Sequence, residues 1–205
     1  TMLGKIKNQK SKIKNEVDHD YEDVSSKIAE KKLVAEVLGC TTHRVEKAEE
    51  LMELRQAREL VVHVARGIQG SLFGEAIESV LFGVRRAEGV ELFEVPSALI
   101  RHEAKVKKIC QELLETSRIN LVAHDAKLQM KGLHLLGLRA ERWTFDVMLG
   151  AYLLGAGERN HDLPSVVARY AGKALAQDAA PVKQVEMIMQ VIEPVREALE
   201  QDKLM

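Results

Sequence analysis

The chain has 205 residues, 46% hydrophobic and 30% charged, which suits one sizeable globular domain, or a domain plus an arm, and excludes a disordered chain. A formal net charge of -1 supplies no global electrostatic pull toward nucleic acid, and no apolar run approaches the ~20 residues of a membrane span. Cys40 and Cys110 lack metal-ligand spacing and point to ordinary thiols in a reducing compartment; the Lys-rich N-terminus lacks the apolar stretch of a signal peptide, so a cytoplasmic place is expected.

In chain order, Lys5, Lys7, Lys10, Lys12 and Lys14 precede the first acid, Glu16, and read as a solvated linker. Tyr21 to Leu38 has helical apolar spacing with Gly39 as its cap, and a second helix is predicted from Val45 to Ala57, with Ala48, Leu51, Met52 and Leu54 on its face. The period then changes. Glu59–Ala65, Glu78–Arg85 and Val90–Val95 are apolar, β-branched runs, the last two separated by Ala87-Glu88-Gly89, so an antiparallel meander is expected. Pro96 stops it, and Arg101 to Glu115 reads as an amphipathic helix. A buried strand at Ile119–Ala123, a helix from Lys127 to Leu136 ended by Gly137, and a short strand at Trp143–Phe145 follow. Asp146 and Asp162 each precede a helix as an N-cap, the second with Pro164 in its first turn and Gly172 at its end. The last helix, Val182 to Leu204, is expected to be interrupted near Pro194. This order predicts an α/β domain with a mixed sheet, three antiparallel strands and then alternating helices and strands. Residues 1–44 are taken as a basic linker and helix, and 45–205 as the domain.

Four sequence words carry a resemblance: Val122-Ala-His-Asp-Ala-Lys127, Leu135-Leu-Gly-Leu138, Phe145-Asp-Val-Met-Leu-Gly-Ala-Tyr-Leu-Leu154 and His161-Asp-Leu-Pro-Ser-Val-Val-Ala-Arg-Tyr170. The first, third and fourth resemble, in order, the H-N-A-K-x-D, F-D-T-M-L-A-A-Y-L-L and H-x-L-D-x-L-A-x-R-Y words of the DnaQ-like, RNase H-like 3'-5' exonuclease domain of family A DNA polymerases, the bacterial DNA polymerase I of Bacillus-like organisms in particular. The resemblance implies two-metal phosphodiester hydrolysis, in which four carboxylates hold two hard divalent ions.

Carried onto this chain, the Asp-x-Glu pair of the first strand falls on Val64 and Arg66, or on His63 and Ala65 with a slip of one. The third acid falls on Gln129, the tyrosine of the last motif on Gln177, and the fourth acid on Pro181. Arg66 also brings a cation that repels Mg²⁺. The remaining polar residues have ordinary roles open to them. Asp125 and Asp146 suit helix caps, His63, His124 and His161 structural positions, and Lys127, Lys131, Arg139 and Arg142 a solvated basic edge.

The expectation is therefore an inactive, structural exonuclease-like domain with no catalytic, cofactor-binding or metal-binding residue of its own. Its parent is a DNA-directed DNA polymerase of replication and repair, a nucleotidyltransferase, with Mg only in an attached polymerase domain. The expected partners are that polymerase domain, to which the last helix would lead, and DNA primer-template; no membrane is involved. Two alternatives stay open: an active RNase D-like exonuclease using displaced acids such as Glu59, Glu75 or Asp125, and a free-standing interaction domain.

Overall fold

The computed structural model describes residues 39–67, 76–140, 142–155 and 157–204. The helix expected over 21–38, the Lys-rich arm and Glu75 lie outside them. A six-stranded sheet of order β1-β4-β3-β2-β5-β6 organises the domain. β2 (Glu59–Arg66), β3 (Ile77–Arg86) and β4 (Gly89–Pro96) form the expected antiparallel meander, and β5 (Asn120–Ala123) and β6 (Phe145–Asp146) extend it in parallel beyond β2. β1 (Gly39–Arg44) departs from the sequence reading, which places these residues in the linker with Gly39 as a helix cap. They instead pair in parallel with β4. All of β1 is solvent-exposed, so an edge strand held by backbone bonds leaves no apolar alternation to read.

β2 is central and buried on both sides. Leu60, Val62 and Val64 join one core cluster while Val61 and Ala65 join the other, as alternation across a pleated strand requires. The first cluster also takes in α2 (Ala104–Glu115) and α3 (Ala126–Leu135); the second takes in α4 (Val147–Leu154), α5 (Leu163–Tyr170) and α6 (Pro181–Gln201).

Three local expectations need correction. Ala48–Gln56 is a 3-10 helix, not an α-helix; its buried residues Ala48, Leu51 and Leu54 recur every third position, matching three residues per turn, and Met52 is 47% exposed. The Arg101–Glu115 helix is two helices, α1 (Ser97–His102) and α2, broken where Glu103 turns extended while its N–H still reaches the Leu99 carbonyl. α6 runs unbroken through Pro194. Proline inside a helix costs ~3 kcal/mol, whereas each buried Val, Ile or Leu contributes roughly 1.5–3 kcal/mol. With Val185, Ile188, Val191, Ile192, Val195 and Leu199 all buried, packing wins.

Candidate functional site

Parallel strands release their following loops at their carboxyl ends, which is where α/β sheets place clefts. Here a cavity of about 840 Å³ opens at the ends of β2 and β5. His63, Val64, Ala65 and Arg66 line it from β2, and His124, Asp125, Leu128 and Gln129 line it from the β5–α3 junction. His161, Asp162, Gln177 and Pro181 close the opposite side. The positions to which the resemblance assigned the family's acids and tyrosine are thus gathered in one place, although the sequence spreads them from 64 to 181.

What stands at those positions is neutral or cationic. β2 pairs with β5 only from Glu59 to Val61, so its edge beyond Val61 has lost its neighbouring strand. Gln129, 2% exposed, takes that place: its Oε1 accepts from the Val64 N–H at 2.8 Å and its Nε2 donates to the His124 carbonyl at 3.1 Å. A carboxylate at 129 could accept from Val64 but could not donate to His124. The register shifts between Ala65 and Arg66, a bulge that turns the strand end, and the Arg66 guanidinium donates to the Leu128 carbonyl at 2.5 Å. Gly132 lets α3 approach this closely, since a Cβ there would lie 2.7 Å from Val64 Cγ1.

The aspartates around the cleft are occupied by the backbone. Asp125 caps α3 in the left-handed conformation, φ 57°, and accepts from the Leu128 N–H at 3.0 Å. Asp146 caps α4 as expected, but it does more. Its Oδ1 accepts from Met148 and Asp125 N–H and its Oδ2 from Ala126 N–H, so a single carboxylate joins the starts of two helices. Asp162 caps α5 through the Ser165 N–H and also receives the amides of Asn160 and Gln177. Hydrogen bonding from Ser165, then from Gln177 and Asn160, holds its carboxyl well below the usual range.

Burial disfavours the charged form of two of the histidines. Burial, then the Arg66 cation and then His124, lowers His63 to about 4. Burial also lowers His124, partly offset by its bond to the His161 carbonyl. Facing a carbonyl at 3.0 Å, His124 Nε2 must carry the proton. Among the described residues the His161 ring nitrogens have no hydrogen-bond partner, and the ring stands edge-on to Tyr152 at 5.4 Å.

The donors do not fit two hard divalent ions. Valine and proline offer no side-chain ligand, Arg66 repels a cation, and the Gln129 amide is consumed on both sides. Among the described residues, no three His, Cys, Asp or Glu side chains are grouped to hold a metal ion. Glu59 lies five residues before Val64 on an extended strand, roughly 17 Å away, and is ion-paired to Arg196 at 2.5 Å. The expected basic residues Lys127 and Lys131 are solvent-exposed on α3, outside the cleft, and Arg139 and Arg142 are exposed as well. Sequence reasoning missed Glu78 and Asp178, which also line the cavity, and the Asn160–Asp162–Gln177 cluster; the N-x-D spacing of its first two members was the available signal.

Residues 89–180 match the family model of the DNA polymerase I, ribonuclease H-like domain. No curated protein matches the sequence significantly. Among solved structures, the POL domain of Pol1 from M. smegmatis, in complex with DNA primer-template and dNTP, aligns at TM-score 0.61 and 18% identity over 80% of this chain. The catalytic core of RRP6 from Trypanosoma brucei aligns at TM-score 0.60 and 16% identity over 80% of the chain. RNase D of the same organism aligns at 0.58 and 13% over 78%. The chain spans 28% of the Pol1 chain, 47% of RRP6 and 65% of RNase D. These likenesses establish the ribonuclease H-like fold of the 3'-5' exonucleases. The match over residues 89–180 makes that stretch, a little under half of the chain, similar to the DNA polymerase I, ribonuclease H-like domain.

Proposed function

We propose that this domain is a catalytically inactive exonuclease-like module of a bacterial DNA polymerase I, kept for structure. The observation that carries the reading is Gln129. At a position where the family places a metal-binding acid, a buried amide joins β2 to the β5–α3 turn, and Val64 and Arg66 stand beside it. The former metal cleft then serves as an internal joint. In this reading the module supports a polymerase domain of the same parent chain, DNA primer-template passes near it without being cut, and any Mg belongs to the polymerase domain. Its place is the bacterial cytoplasm, in association with the nucleoid. Among the described residues no helix is long and apolar enough to cross a membrane.

The experiment is incubation with 5'-labelled single-stranded DNA and Mg²⁺ or Mn²⁺. The reading expects the oligonucleotide to keep its length. Shortening from the 3' end that disappears in Asp125→Ala would overturn it in favour of an RNase D-like enzyme using displaced acids. Of the acids named for that alternative, the two described ones are both engaged: Glu59 with Arg196, and Asp125 with the first turn of α3.

A further inference from the structure

The solvent face of α3 lies outside the core, and of its residues Leu128 alone also lines the cleft. Lys127 and Lys131, one turn apart, run along its middle. Leu128 and Leu135 lie on one flank and Met130 and His134 on the other, as 3.6 residues per turn dictates. Leu128 is 37% exposed, Met130 42% and Leu135 54%, large apolar side chains left in water on a helix whose inner face is already satisfied by Gln129, Gly132 and Leu133. No acid occurs from Ala126 to Ala140, and the Lys107 ammonium lies beside Gly137 at the end of the helix. The face is therefore cationic along its centre and apolar at its edges, in a chain whose net charge is -1.

We infer that this face is a docking surface for an acidic, amphipathic protein segment. Charge complementarity selects a polyanion, and the flanking Leu and Met select its chemistry. Apolar anchors at one-turn spacing receive the apolar edge of a partner helix, and methionine adapts its shape to such a partner. Single-stranded nucleic acid fits less well, because successive bases require a series of aromatic or guanidinium platforms for stacking and this face offers the His134 ring alone. The inference does not depend on whether the cleft is active.

The test titrates the ¹⁵N-labelled protein with a synthetic acidic amphipathic helix carrying Leu on one face and Glu beside it, and with a scrambled peptide of the same composition. Amide shifts confined to residues 127–135, saturating with the patterned peptide alone, are expected. Lys127→Glu combined with Lys131→Glu should weaken binding about tenfold, or ~1.4 kcal/mol. Leu135→Ser, which leaves the charges in place, should weaken it severalfold. All three side chains are exposed, so the variants keep the fold, which the unshifted remainder of the spectrum verifies. Equal binding of the scrambled peptide, unchanged affinity in the charge-reversed variant, or absence of binding overturns the inference. Tighter binding of an oligonucleotide at the same residues also overturns it and makes the face a nucleic-acid surface.

Discussion

Replacing Gln129 with leucine should cost the domain roughly 3 kcal/mol. The side chain is 2% exposed, and its amide pairs two backbone groups, the Val64 N–H and the His124 carbonyl. Leucine has comparable volume, so the cavity contribution is small, and what remains is two buried polar groups left unpaired at ~1–3 kcal/mol each. A domain of this size loses about 2–4 °C in Tm per kcal/mol, giving a drop of ~6–12 °C. Urea denaturation monitored by circular dichroism measures it, with the midpoint falling and the slope unchanged. Gln129→Glu provides the internal control. It preserves shape and the acceptor for Val64 but turns a carboxylate toward the His124 carbonyl, so it too should destabilise at neutral pH. A loss below ~0.5 kcal/mol in the leucine variant, within the range of ordinary surface substitutions, would refute the assignment of Gln129 as a joint.

Three further outcomes follow from the same geometry. Asp146→Leu removes the acceptor shared by Asp125, Ala126 and Met148 N–H and should destabilise by more than a single N-cap, beyond ~2 kcal/mol in thermal melts, because α3 and α4 lose their starts together. Gly132→Ala pushes a methyl to 2.7 Å from Val64 Cγ1 and should cost ~1–3 kcal/mol in place of the usual helical gain from alanine. His63 is held neutral down to about 4 in the folded state, against ~6.5 when unfolded, so the unfolded chain binds the extra proton first as pH falls. Stability should decline from about pH 6.5 toward 4, by up to ~3 kcal/mol from this group, and His63→Gln should flatten that part of a pH series of urea midpoints.

The legible parts of this fold were those in which side chains record their own environment. The meander was readable because β2, β3 and β4 bury continuous apolar runs, and the caps because an aspartate before a helix leaves a chemical trace. β1 was not readable, since an exposed edge strand is chosen by backbone hydrogen bonds and not by side-chain pattern. Pro194 misled because local propensity gave way to burial along α6. At the cleft, the sequence indicated which residues occupied the acid positions but not what they did there. That Gln129 replaces a missing strand partner depends on where β5 stops opposite β2, a tertiary fact with no local signature. The double role of Asp146 is similar, because its second helix lies about twenty residues earlier in the chain.

The central claim is that the cleft at the end of β2 has exchanged a carboxylate site for a hydrogen-bonded joint. Mn²⁺ titration followed by electron paramagnetic resonance tests it most directly, because bound Mn²⁺ loses the six-line signal of the free ion. The account predicts that the free-ion signal rises in proportion to added metal, with no sub-millimolar site. Saturable loss of signal at two ions per chain, abolished by Asp125→Ala or Asp162→Ala, would contradict it.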